Sequence, residues 1–186
     1  MTGASGLLDD AIEYALGAVR AVSPRLLTSP TPCSDWDLRA LLQHLNEALD
    51  VLAEASGGRI KPHSGRDRVQ DPAASFLLRA TALRQQRWGS RAVTIADRPL
   101  TAATVATVLA VEIAVHGWDV SQASGQARPI PPALAIGLFA VCPLVIDNTT
   151  RHRLFAGAVE VSSPASPSDV LVAFLGRTPR PTSRHR

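Results

Sequence analysis

Aromatic residues are scarce in this chain. Phe, Tyr and Trp together make up 4% of its 186 residues, against a hydrophobic content of 46%. An Ala/Leu/Val-rich interior of this kind suits packed helices better than a β-sandwich. Cysteine is nearly absent too. Cys33 and Cys142 are far apart and form neither a CxxC pair nor a disulfide framework. Two half-buried free thiols in a reducing compartment are the expectation. No charge-free apolar stretch reaches the roughly 18 residues needed to cross a bilayer. The first residues carry no basic start followed by an apolar run, so no signal peptide is read and the expected location is the cytoplasm. Gly57-Gly58 is not followed by Lys-Ser/Thr, and no GxSxG segment occurs. Phosphate-loop and hydrolase-elbow chemistry are thereby set aside.

Lysine is almost missing, with Lys61 the one example among 19 basic residues. The pI of 9.5 invites a nucleic-acid reading. Arg177, Arg180, Arg184 and Arg186, however, all lie in the last ten residues, and without them the net charge falls from +3 to −1. A nearly neutral body with a disordered Arg/Pro-rich tail at 177–186 is expected, and neither nucleic acid nor membrane is the expected partner.

Hydrophobic periodicity predicts a single helical domain over 1–176. A first helix runs from about Ser5 to Val22, with Leu8, Ile12, Ala15, Val19 and Val22 on one face and Pro24 closing it. Ser34, with Asp37 three residues on, resembles a capping box opening a second helix, whose stripe is Leu38, Leu41, Leu42, Leu45, Leu49 and Leu52. Residues 58–70 read as a polar connection. Asp71-Pro72 caps a third helix reaching Trp88 and Gly89, and 92–100 reads as a linker. Thr101 caps the longest helix, which ends near Gly125. Pro131-Pro132 opens a fifth helix to about Asp147. A short extended piece at Ala158–Val161 and a short helix from Ser168 to Gly176 follow. The expected fold is an all-α up-and-down four-helix bundle with a C-terminal helical extension.

The longest helix holds the informative anomaly. Val105, Leu109, Glu112, His116 and Val120 project onto one stripe among further apolar residues. An ionised carboxylate there costs several kcal/mol unless it is paired or bound to a metal. The i, i+4 spacing sets Glu112 and His116 about 6 Å apart at Cβ, so both can reach one ion. A plain Glu–His ion pair accounts for the pattern as well. His44 lies on the second helix about 100° from the leucine stripe, beside Leu41, Ala48 and Val51. Alone it reads as a boundary histidine. Together, His44, Glu112 and His116 offer two imidazoles and a carboxylate, the ligand set of catalytic zinc sites with an open position. Zinc is the first choice, and nickel, manganese or iron also suit these donors. Trp36 and Trp118 adjoin the two motifs and read as packing residues able to wall a pocket. Asp119 reads as exposed near a helix end, with orientation of a ligand as its other role. His63 and His152 read as surface histidines.

The run Thr31-Pro-Cys-Ser-Asp-Trp-Asp-Leu-Arg-Ala-Leu-Leu-Gln-His44 resembles the TPC-x-x-W opening of the metal-binding domain in mycothiol-dependent maleylpyruvate isomerases. Val111-Glu-Ile-Ala-Val-His-Gly-Trp-Asp119 resembles that family's E-x-x-x-H-x-W-D helix. Ser168 to Pro179 is similar to the closing segment of a related actinobacterial branch. The resemblance spans about residues 5 to 179. It implies a DinB-like bundle in which His44, Glu112 and His116 hold the metal, with mycothiol as the thiol co-substrate. The chain is short and lacks the additional C-terminal domain that completes the isomerase active site, which argues against maleylpyruvate isomerisation itself. The expected activity is a metal- and thiol-dependent S-transferase or isomerase acting on a small electrophilic substrate. The alternative is a non-catalytic, stress-associated metal-binding protein. A homodimer is implied by the resemblance alone. No residue is singled out as a general acid or base.

Overall fold

The structure, a computed structural model, describes residues 4–33, 36–60, 69–84, 92–95, 98–146 and 155–179. They fall into two compact units, 1–128 and 129–186.

The first unit is built from four helices: α1 (Ala4–Val19), α2 (Leu38–Ser56), α3 (Pro72–Leu83) and α4 (Ala102–Ala123). The stripes foreseen from periodicity are buried, except that α1 ends at Val19 and the expected Val22 lies beyond it, half-buried. Leu8, Ile12, Ala15 and Val19 of α1 are fully buried, as are Leu38, Leu41, Leu42, Leu45, Leu49 and Leu52 of α2. Helix α1 packs against α4 and α3, and α2 packs against α3 and α4. This is the all-α, DinB-like bundle expected. Around the ring the principal order is α1, α4, α2, α3, not the sequential order of an up-and-down bundle, so α2 reaches α4 directly and can share a site with it.

Helix α4 is the spine of this unit. From Leu109 to Gln122 every residue but Glu112 is buried. By length and composition alone α4 could cross a membrane, yet most of it is covered within the fold. It approaches α1 closely at Gly117, where an added Cβ would lie 3.1 Å from both Cα and Cβ of Ala15. Close backbone approach of this kind is a use that only glycine serves well.

The caps at Asp71 and Thr101 are as expected, their side chains accepting from the amides of Ala74 and Thr104. Helix α2 differs. It starts at Leu38, and its N-cap is Asp37, whose carboxylate accepts from Ala40 N at 2.8 Å. Asp37 is thus the cap itself rather than the third residue of a capping box. Ser34 lies outside the described residues. Helix α3 ends at Leu83, short of the expected extent; Trp88 and Gly89 lie outside the described residues. Across α2 and α3, buried Asn46 donates to the carbonyls of Leu42 and Pro72, and Arg79 pairs with Asp50.

The two segments expected as connections contain a small sheet. Strand β1 (Arg59–Ile60) runs parallel to β2 (Ala92–Ile95), which pairs antiparallel with β3 (Arg98–Thr101). Thr101 both ends β3 and caps α4, which ties the sheet to the central helix.

In the second unit, α5 (Pro132–Val145) and α6 (Pro167–Phe174) pack together, with Phe139 and Phe174 edge to face at 5.4 Å. Ser168 Oγ accepts from Ile130 N at 2.9 Å. The extended piece expected at Ala158–Val161 forms no strand ladder; Val159 N donates instead to the carbonyl of Ala173. Arg177, the first residue of the expected tail, is buried and donates to the carbonyl of Leu175. Residues 180–186 lie outside the described residues.

Candidate metal centre

The site forms where α2 meets α4. On α2 the leucines turn inward and carry His44 to the rim of the buried face, leaving its side chain one-third exposed (33%). From α4, Glu112 and His116 project one turn apart toward the same point. His116 Nε2 lies 3.2 Å from Glu112 Oε2, and His44 Nε2 lies 3.7 Å from that same oxygen. The two imidazoles meet edge to face, their centroids 5.0 Å apart. All three residues singled out by sequence are therefore brought together. His63 and His152 lie outside the described residues.

The segment before α2 closes one side. Thr31 Oγ1 accepts from Cys33 N and lies 2.8 Å from the carbonyl of Trp36, to which it donates. Pro30 bridges to Asp37 across the segment. The folded segment sets the Trp36 ring 4.6 Å from His44 and 5.8 Å from His116, centroid to centroid. Trp36 is therefore a wall of the site.

Two further residues border the centre. Asp119 is completely buried, not exposed near a helix end, because α4 is enclosed through Gln122. Its Oδ2 lies 3.0 Å from His116 Nδ1 and accepts from Cys33 Sγ at 3.4 Å. Cys33, read from sequence as an ordinary free thiol, thus borders the centre. The Thr-Pro-Cys run before Trp36 was the available signal.

Electrostatics follow from this packing. Burial alone would raise the Glu112 pKa, but hydrogen bonds and charges from His116 and His44 reverse the effect and hold the carboxyl well below its usual range. Burial alone would lower that of His116. Hydrogen bonds with Asp119, Cys33 and Glu112 instead lift it well above 6.5. Both shifts favour the charged forms of the pair, glutamate and imidazolium, when no ion is bound.

The donor set fits a divalent cation. Tetrahedral ligands at about 2.0–2.2 Å from an ion stand about 3.3–3.6 Å from one another. One donor atom from each of His44, Glu112 and His116 lies within 4.8 Å of the others, and the two distances to Glu112 Oε2 bracket the tetrahedral spacing. Cys33, His116 and Asp119 form a second group by the same criterion, sharing His116.

The match of a family model decides the kinship: the mycothiol maleylpyruvate isomerase N-terminal domain matches residues 8–121, which hold α2 and α3, most of α1 and α4, and all three donors. The chain belongs to this family. Within the mycothiol maleylpyruvate isomerase N-terminal domain family, His44 stands in the early Thr-Pro-Cys segment's helix and Glu112 and His116 on the closing one. Two uncharacterized proteins of Mycobacterium tuberculosis, from strains CDC 1551 and H37Rv, are similar to this chain. Each is 26% identical over 176 residues, covering 92% of this chain and 94% of the relative. No solved structure matches the chain.

Proposed function

We propose that this protein binds one divalent metal through His44, Glu112 and His116 and uses it in thiol chemistry, as an S-transferase or thiol-assisted isomerase. The observation that carries the reading is the convergence of two imidazole nitrogens and one carboxylate oxygen, from two helices, on a single point. Three protein donors leave a position free in a tetrahedral shell, as catalytic sites do and closed structural sites do not. Zinc suits the donors best, with nickel, manganese or iron as other candidates.

The chain's own residues divide the work. Glu112 supplies the negative charge, and the one-third exposure of His44 leaves the α2 side open to a small molecule. Trp36 limits that opening with an apolar face. A divalent ion held here supplies Lewis acidity that favours the deprotonated, nucleophilic form of a small thiol at neutral pH. Family membership supports mycothiol as that thiol and a small electrophile as its acceptor.

Elemental analysis of the purified protein and of His44→Ala and His116→Ala is the first test. About one ion per chain in the parent and little in either variant is the expected result. Calorimetric titration of the loaded protein with mycothiol then tests the thiol. Heat on mixing, with a spectral shift in a cobalt-loaded sample, is expected. Silence in both experiments overturns the thiol chemistry and leaves a metal-binding protein without it.

A further inference from the structure

Each histidine of the centre has a carboxylate near its other ring nitrogen, and the two arrangements differ. Glu47 Oε2 lies 3.7 Å from His44 Nδ1, beyond hydrogen-bond distance, on a side chain that is 55% exposed. Asp119 Oδ2 lies 3.0 Å from His116 Nδ1 and its side chain is fully enclosed. A carboxylate accepts and does not donate, so both His116 Nδ1 and the Cys33 thiol must bring a hydrogen to Oδ2. Without an ion, His116 Nε2 donates to Glu112 Oε2 at 3.2 Å; it is this Nε2 proton that a metal would displace, while the Nδ1 proton stays hydrogen-bonded to Asp119. Such an outer carboxylate holds the tautomer and ring orientation of a ligating histidine and makes it a better donor.

We propose that Asp119 is the positioning residue of the metal centre, fixing His116 as the Nδ1–H tautomer so that Nε2 is the ligand atom, while Glu47 does nothing equivalent for His44. The inference rests on the metal reading above. It predicts an asymmetric site, in which one imidazole is held from behind by a buried acid and the other is free to adjust.

The test compares Asp119→Asn with Glu47→Gln, measuring zinc affinity by competition with a chromophoric chelator. Asp119→Asn should lose about 10- to 100-fold in affinity, and Glu47→Gln should stay within about twofold of the parent. Thermal melting of both metal-free variants checks that folding is intact. Nitrogen-15 spectra of the histidine side chains in the zinc-loaded parent provide an independent reading that needs no variant. His116 should show a protonated Nδ1 and a metal-bound Nε2. Parent-like affinity in Asp119→Asn, or ligation through Nδ1, overturns the inference while leaving the metal site standing. Failure of the parent to bind zinc or any other divalent ion overturns both.

Discussion

The indole of Trp36 lies 4.6 Å from the His44 imidazole, centroid to centroid, and tilted 43° to it. One side chain from the segment before α2 thereby covers a donor that α2 itself leaves partly open. Trp36→Ala should remove this wall and a share of buried apolar surface. Because Trp36 is only half-buried, the expected loss of stability is about 2 kcal/mol, below the range for a full core truncation. Metal affinity should fall several-fold, and Trp36→Phe should restore most of both. Denaturant melts and chelator competition on the two variants check this.

Loading the centre must displace a proton. The hydrogen bonds that raise the His116 pKa above 6.5 favour its protonated form when no ion is bound. A metal ligand nitrogen must carry no proton. Binding at pH 7 should therefore release about one proton per ion. Apparent affinity should fall about tenfold for each unit of pH below the raised value. Calorimetry in buffers of different ionisation enthalpy measures the released proton directly.

The metal-free protein should have its own pH optimum. The depressed Glu112 contributes stability above its ordinary 4.5 and loses it as pH falls through the lower folded value. The raised His116 contributes fully below its ordinary 6.5 and loses it as pH rises through the higher folded value. Both contributions are complete only between about 4.5 and 6.5. Melting temperature of the stripped protein should peak in that window, and Glu112→Gln should flatten the acid limb. With metal bound the peak should move to higher pH.

Asp37→Ala removes the side chain that accepts from Ala40 N. A lost N-cap costs about 1 kcal/mol. His44 stands nearly two turns further on, so metal affinity should change little. A fall in the melting midpoint with unchanged chelator competition is the expected outcome.

Much of this was legible in the sequence because burial and chemistry conflict there. Glu112 stood out as an acid inside an apolar helix, His116 followed one turn later, and both lie where that conflict put them. The caps at Asp71 and Thr101 and the leucine stripe of α2 were equally readable. Asp119 was not. Helix α4 is covered on nearly all sides in its C-terminal half, so projecting its residues on a wheel could not say which polar ones face solvent. The sheet escaped because β1 spans only Arg59–Ile60 and its partner β2 comes after α3. Pairing of that range leaves no local period to detect. Cys33 was passed over as a free thiol, since its neighbour Asp119 stands 86 positions away.

The close approach at Gly117 bears on how rigidly the centre is held. Where main chains touch, the gap between α1 and α4 is set by the backbones rather than by the length of interlocking side chains. His116 is the adjacent residue, so its Cα is anchored to α1 by that contact. Substitutions elsewhere in the leucine core could therefore alter the thickness of the bundle while leaving this imidazole at the same depth. Of the two helices that supply donors, α4 is the one held by this contact.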